Sequence, residues 1–287
     1  MKLENEMTRV LEQLQQKEIL GSHIVDIKQL SGTTEGRVYS LVDQHNGQYI
    51  LKFDRLDQIQ LVQSFYETYK EIALFPKVLY VDHEQSFILY SYIRGTTHFN
   101  RGIKRAWLST LISNLINHYE LYQRADIWGR IDFPCESWHQ FNAISIEEAK
   151  DNIQDTLPIE DFELVNSLVN KLFHDESTIS KYLLHGDTGV HNFVFEQSSF
   201  AGVIDPSPIV GPLLYDFMYA FCSSPDDIDT DTLFAAYHLL HHKPVTDSRL
   251  IEEVAVQLYC RIGICLRHHK EDLPQYLKAW QYWKGLL

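Results

Sequence analysis

Leu184-His185-Gly186-Asp187-Thr188-Gly189-Val190-His191-Asn192, followed by Phe193-Val194-Phe195-Glu196 and then Phe200-Ala201-Gly202-Val203-Ile204-Asp205, sets two carboxylates and one amide at fixed offsets around a short hairpin. The apolar runs predict strands over 192–196 and 200–205. Phe193, Val194 and Phe195, then Val203 and Ile204, are apolar on both faces, which predicts a buried hairpin. Asp187 lies five residues before Asn192, and Asp205 thirteen residues after it, at the end of the second apolar run. Two acidic positions in register, with a strand pattern between them, say more than either motif alone.

The chain has 287 residues, 45% hydrophobic and 22% charged, which suits a folded protein of one large or two modest domains. Its net charge of −14 argues against nucleic-acid backbone binding, which needs a basic face. That charge permits a cationic small-molecule substrate. Four cysteines, at 135, 222, 260 and 265, form no C-x-x-C pair and read as reduced thiols of a cytoplasmic protein. The opening Met1-Lys2-Leu3-Glu4-Asn5-Glu6 is polar and acidic, unlike a signal peptide. No apolar run approaches the ~20 residues of a membrane span.

Met7, Val10, Leu11 and Leu14 predict an amphipathic helix over 7–20, stopped by Gly21. Strand-like runs follow over 25–30, 37–42 and 48–53, joined by a glycine-containing first turn and His45-Asn46-Gly47 in the second; they read as an antiparallel meander. A helix is predicted over 58–75, with Asp57 and Gln60 resembling a capping box and Pro76 ending it. Strands are predicted over 77–81 and 87–92, after which Arg94-Gly95 breaks the pattern. Residues 1–95 thus form a small unit of one sheet and helices, and 96–287 a mostly helical one, in which 107–123 is the clearest helix. The segment from Tyr215 to Phe221 is apolar nearly all round and predicts a central helix. Its lone acid, Asp216, must have partners, because an unpaired buried charge is very costly.

Phosphoryl transfer needs an aligned hydroxyl, a cradle for nucleotide phosphates and cations to spread the developing charge. The Asp187-x-x-x-x-Asn192 spacing is that of a kinase catalytic loop, in which the Asp addresses the accepting hydroxyl and the Asn holds a metal. Asp187 is therefore the candidate base; with a loose transition state, orientation is its main task. Asn192 and Asp205 are the candidate ligands for magnesium, which prefers oxygen donors and keeps several waters. Each of the three has an ordinary turn or strand-end explanation on its own; the joint spacing favours function. His185 reads as a structural histidine, and His191 is given no role. Lys52, in Tyr49-Ile50-Leu51-Lys52-Phe53, is the candidate for an α/β-phosphate. It needs a carboxylate, for which the following helix offers Glu67, with Glu71 one turn on; Glu67 is preferred. Ser31–Gly36 offers backbone N–H groups to phosphates, though an ordinary turn explains its glycines as well.

The catalytic stretch, Val203-Ile204-Asp205, and Gly211-Pro212-Leu213-Leu214-Tyr215-Asp216 together resemble the aminoglycoside phosphotransferase/choline kinase-like family, with its H-G-D-x-x-x-x-N, I-D and G-x-x-x-x-D motifs. The resemblance extends upstream through Leu30-Ser31-Gly32 and Arg37-Val38-Tyr39, Lys52, and the run from Phe87 to Gly95. It implies an α+β, protein-kinase-like two-lobed fold, with a small antiparallel-sheet N-lobe and a mostly helical C-lobe carrying a catalytic hairpin. It also implies an ATP- and Mg²⁺-dependent small-molecule kinase. Such an enzyme transfers the γ-phosphate to a hydroxyl of an amino-sugar, aminoglycoside, choline-like or related metabolite. By this resemblance Asp187 is the catalytic base, and Asn192 and Asp205 bind Mg²⁺. Lys52 pairs with Glu67, the backbones of Ser91 and Ile93 contact the adenine, Ser31 and Gly32 belong to the nucleotide loop, and Asp216 braces the catalytic loop. The sequence departs from the family pattern at Gly36, Pro206 and Gly211-Pro212, none of which removes a group that transfer requires.

Trp128, Trp138 and the carboxylates of 226–231 are candidate walls of an acceptor pocket for a cationic ligand, although the acidic run also reads as a loop with a helix cap. Trp280, Tyr282 and Trp283 read as packing a last helix onto the lobe. An atypical protein kinase is a weaker alternative, because ten residues between Asp205 and Asp216 are too few for a regulated activation loop. A non-catalytic nucleotide-binding or interaction protein on the same scaffold is the third reading.

Overall fold

Alternation along one strand organises the first part of the chain: Leu51 and Phe53 point to one face of a sheet, Ile50 and Lys52 to the other. The computed structural model describes residues 2–30, 36–97, 99–124, 127–175 and 179–287, and the chain divides into two units, Met1–Arg94 and Gly95–Leu287.

The first unit runs α1 (Lys2–Gln16), β1 (Ile24–Gln29), β2 (Arg37–Asp43), β3 (Gln48–Phe53), α2 (Leu56–Thr68), β4 (Val78–Asp82) and β5 (Phe87–Ser91). Its five-stranded sheet is antiparallel in the order β1-β2-β3-β5-β4. On one face Leu41, Leu51, Phe53, Phe87 and Leu89 meet Val10 and Leu14 of α1. The other face carries Ile50, Lys52, Ile88 and Tyr90. α2 buries Ile59, Val62, Phe65 and Tyr66, with the Tyr66 ring 6.3 Å from Tyr90.

The helix boundaries differ from the sequence expectation, and four of the five strands differ by one residue at one or both ends. The first helix covers Lys2–Gln16 rather than 7–20, and the chain turns at Glu18 (φ +57°) before Gly21 is reached. α2 ends at Thr68, not 75, because Phe65, Tyr69 and Phe75 close into an aromatic cluster that needs a turn beyond Tyr69. Its N-cap is Arg55, without a side-chain cap; Asp57 instead pairs with the Arg55 guanidinium.

The second unit runs β6 (Thr96–Thr97), α3 (Lys104–Asn114), β7 (Trp128–Arg130), β8 (Pro134–Cys135), α4 (Trp138–Ile153), α5 (Ile159–Leu172), β9 (Tyr182–Leu184), β10 (Phe193–Glu196), β11 (Ser199–Val203), β12 (Ile209–Gly211), α6 (Leu213–Cys222), α7 (Thr230–Tyr237), α8 (Asp247–His268) and α9 (Leu273–Lys284). The buried hairpin is present as β10 and β11, with β6 added to β10. A second small sheet, β8-β7-β12-β9, was not legible from periodicity, since its strands are two or three residues long. The helix expected over 107–123 is Lys104–Asn114, followed by a single 3₁₀ turn, because Tyr119 leaves the helical path to reach α6.

Trp128 and Trp138 are buried, their rings 6.0 Å apart, and Trp138 stacks on Phe141 at 4.7 Å; they are core, which corrects their assignment as acceptor-pocket walls. Asp229 caps α7 by accepting from Thr232 N–H at 2.8 Å, and Asp226 pairs with Arg101. All four cysteines are free thiols. No helix among the described residues is long and apolar enough to cross a membrane.

Trp280 and Trp283 are fully buried, packing α9 as the sequence suggests, while Tyr282 is exposed. The Trp280 indole donates to the buried Asp161 carboxylate at 2.7 Å, and Lys284 pairs with the other oxygen. Trp280→Phe keeps most of the packing but removes a donor to a buried carboxylate. It is expected to destabilise the protein by about 2 kcal/mol, read as a lower urea midpoint at unchanged slope.

Candidate active site

The loop between β9 and β10 is fixed from below by one carboxylate. Asp216, fully buried on the first turn of α6, accepts the Tyr119 hydroxyl at 2.5 Å and the Gly186 N–H at 3.1 and 3.3 Å. Its own carbonyl takes the Thr188 hydroxyl at 2.8 Å. Burial pushes the Asp216 carboxyl up to about 7 against these donors, which favour the ionised form.

Gly186 answers to a steric demand. Its φ is +80°, and a Cβ there would lie 2.0 Å from the Ser207 carbonyl. This close approach presses the loop against the segment after β11, and Ser207 N–H donates to the His185 carbonyl at 2.9 Å. His185, fully buried, joins the same two segments through its ring. Nδ1 accepts from Asp187 N–H at 3.3 Å, so the proton sits on Nε2, which donates to the Ile204 carbonyl at 3.1 Å. Burial pushes this imidazole down to about 4, so it is neutral here. The structural role assigned to His185 agrees with this geometry.

Asp187 projects from the loop. Its Oδ2 accepts from Asn192 Nδ2 at 2.8 Å and from His191 Nε2 at 3.1 Å; its Oδ1 is buried with no partner among the described residues. Burial pushes the carboxyl up, but the His191 hydrogen bond and charge, with His185 behind, outweigh it and hold the group at about 2. The Tyr219 hydroxyl of α6, hydrogen-bonded toward the same carboxylate, adds to that lowering. The result is an ionised carboxylate with one oxygen clamped and the other free to accept a proton.

Asn192 spends both amide hydrogens locally, on the Asp187 carbonyl at 3.0 Å and on Oδ2, which leaves its Oδ1 as the available donor atom. Its backbone carbonyl accepts Ile204 N–H at 2.9 Å. Asp205 therefore follows directly on the residue paired with Asn192, and the chain turns there with φ +57° as the strand ends. An amide oxygen and a carboxylate are hard donors, the type magnesium takes when phosphates and water complete its shell.

His191 escaped the sequence reading. It lies four residues past Asp187 on a 3₁₀ turn, Val190–Asn192, and its ring lies where a Gly189 side chain would be: a Cβ at 189 would meet the ring at 2.4 Å. The signal was present as a glycine two positions before a histidine at i+4 from the acid.

In the first unit, Lys52 is nearly buried on β3, and its Nζ lies 3.4 Å from Asp54 Oδ2. Its expected pairing with Glu67 is corrected: Glu67 is exposed on α2 and accepts from Gln63 at 2.6 Å. Glu71 is exposed as well, past the end of the helix. Ser91 ends β5 with its N–H donated to Lys77 at 2.9 Å, and Ile93 follows outside the strand with no backbone hydrogen bond among the described residues. Gly36 has φ +78°, and a Cβ there would fall 2.4 Å from the Phe53 carbonyl, which accounts for its departure from the family pattern. Ser31 and Gly32 lie outside the described residues.

The depressed His185 value carries a stability signature. The unfolded imidazole binds a proton below its ordinary 6.5 while the folded one stays neutral to about 4. Stability contributed at pH 8 is therefore lost progressively as pH falls from 6.5 toward 4. Asp216, raised to about 7, works in the opposite sense over the same window, so the His185 contribution is read as the difference between parent and variant in thermal midpoints measured from pH 8 to 5. The His185→Gln variant, less stable at pH 8, is expected to lose less stability, or gain more, than the parent as pH falls from 6.5 to 5.

A sequence model of the phosphotransferase enzyme family (APH) matches residues 26–249. Among solved structures, the choline kinase LicA from Streptococcus pneumoniae is similar at 16% identity, covering 98% of this chain and 99% of that one, with a TM-score of 0.62. A thermostable mutant of the aminoglycoside phosphotransferase APH(4)-Ia, in its apo form, is similar at 15% identity, covering 91% and 94%, with a TM-score of 0.60. A putative fructosamine-3-kinase from Thermobifida fusca YX-ER1 gives 14%, 93%, 96% and 0.58 on the same measures. No curated protein matches by sequence. These likenesses show the protein-kinase-like α+β fold. With its family matched over most of its length, the chain belongs to the phosphotransferase enzyme family and is a phosphotransferase.

Proposed function

We propose that this protein is an ATP- and Mg²⁺-dependent small-molecule kinase that phosphorylates a hydroxyl of an amino-bearing acceptor, such as an amino-sugar, aminoglycoside or choline-like metabolite. The observation that carries the reading is the Asp187 carboxylate, with Oδ2 clamped by His191 and Asn192 and Oδ1 buried without a hydrogen-bond partner among the described residues. A buried acceptor atom with nothing to accept is the place for a donor hydroxyl.

In this reading the acceptor hydroxyl donates to Asp187 Oδ1. As its oxygen forms the new bond to the γ-phosphorus, the bond from that phosphorus to the ADP oxygen breaks, and the proton passes to Asp187. A carboxylate held at about 2 is a weak base. It serves chiefly to orient the hydroxyl, which suffices where the transition state is loose and proton transfer late. Asn192 Oδ1 and Asp205 would hold the magnesium, which when bound neutralises charge on the nucleotide phosphates. Lys52 would meet the α/β-phosphates, and the backbones of Ser91 and Ile93 the adenine.

Support for the donor comes from relatives named with nucleotides: a ternary complex of APH(4)-Ia with ADP and hygromycin B, and APH(2")-IIia with GDP and kanamycin. The net charge of −14 suits a cationic acceptor.

The primary test is ADP release in Mg-ATP across a panel of amino-sugars, aminoglycosides, choline, fructosamines and sugar alcohols. Turnover with at least one amino-bearing member is expected; turnover confined to uncharged sugar alcohols would sink the acceptor class. Asp187→Asn is expected to keep Mg-ATP binding while kcat falls by about 10²-fold or more. Asp205→Asn is expected to abolish the magnesium-dependent part of nucleotide binding, measured by titration calorimetry with and without chelator.

A further inference from the structure

We propose that Asp54, at the end of the strand carrying Lys52, is the residue that positions Lys52 for nucleotide phosphates, in place of a carboxylate from the following helix. This rests on the kinase reading above and deepens it.

The helix has nothing to offer. α2 contains two carboxylates, Asp57 and Glu67. Asp57 is exposed and held by the Arg55 guanidinium at 3.1 and 2.5 Å, and Glu67 is exposed and bonded to Gln63. The helix turns Ile59, Val62, Phe65 and Tyr66 inward, toward the sheet face on which Lys52 stands beside Ile50 and Ile88. A nearly buried ammonium is stabilised by a carboxylate close by.

Asp54 supplies it. Its side chain is only 10% exposed and that of Lys52 11%, so the pair at 3.4 Å is little screened by solvent. The carboxylate is itself held in place. Asp54 N–H donates to the Ser86 carbonyl at 3.1 Å, and Oδ1 accepts from Arg55 N–H at 2.8 Å, which turns Oδ2 toward Lys52. Gly36, at the end of the glycine loop, packs on the same group; a Cβ at 36 would lie 3.4 Å from Oδ2. The acid thus stands where the loop re-enters the sheet, beside the lysine.

This arrangement has a functional consequence. A lysine held by a helix acid is set or released as the helix moves, which is how protein kinases are switched. A lysine held by an acid two residues along its own strand is set as soon as the sheet forms. Phosphate positioning in this protein is then independent of α2.

The test is a double-mutant cycle on Mg-ATP affinity, by titration calorimetry on the full chain with Lys52→Met, Asp54→Asn, the double variant and Glu67→Gln. Asp54→Asn preserves the acceptor for Arg55 N–H, so the variant removes charge and little else. Asp54→Asn is expected to weaken binding about tenfold, the double variant to be no weaker than Lys52→Met alone, and Glu67→Gln to match the parent within about twofold. Asp54→Glu is expected to recover part of the loss, which a folding defect would not allow. Full additivity of the two losses, or a loss at Glu67→Gln with none at Asp54→Asn, overturns the proposal. Absence of Mg-ATP binding by the parent chain would overturn the kinase reading instead, and this proposal with it.

Discussion

Asp216 beneath the loop that bears Asp187 is the constraint on which the rest of the site depends. One fully buried carboxylate gathers a phenol from Tyr119 and a backbone N–H from Gly186, and its own carbonyl gathers the Thr188 hydroxyl. These contacts tie three chain segments together: the end of α3 and its 3₁₀ turn, the loop before β10, and the start of α6. Burying a carboxylate is costly, and the rise to about 7 reflects that cost. The donors arranged around it offset part of that cost and hold the loop against α6.

The two acids of this region are driven in opposite directions by different surroundings. Asp216 is enclosed and rises; Asp187, twenty-nine residues earlier in the chain and on the loop that Asp216 braces, lies beside two imidazoles and falls to about 2. His191 is central to that difference, because it supplies both the hydrogen bond and the charge that outweigh desolvation at Asp187. Clamping Oδ2 also fixes the direction of Oδ1. The same contacts thus keep the base ionised and aim its free oxygen.

In the first unit the corresponding logic is sheet alternation. Leu51 and Phe53 commit one face of β3 to the core under α1, which leaves Lys52 on the other face, the one from which Tyr90 meets Tyr66 of α2. A helix that buries Ile59, Val62, Phe65 and Tyr66 cannot also present its acids inward, since Asp57 and Glu67 fall on the outer side of a 3.6-residue repeat. A carboxylate from beyond the end of its own strand, Asp54, lies 3.4 Å from the lysine instead.

Much of this was legible in the chain itself. The β3 strand matches its predicted span residue for residue, and the buried hairpin and the apolar α6 helix were readable because apolar periodicity records which faces meet a core. The Asp187, Asn192 and Asp205 offsets were readable because a loop and hairpin fix short-range geometry through chain connectivity. What the sequence could not carry were pairings between segments with no periodicity linking them. The brace from Tyr119 across to Asp216, the closure of Asp187 by His191 over the space left by Gly189, the exchange of Glu67 for Asp54, and the burial of Trp128 and Trp138 all belong to that class. Local spacing dictates which groups sit near one another along a turn; only packing decides which of several equally suitable acids or rings fills the space beside a given atom.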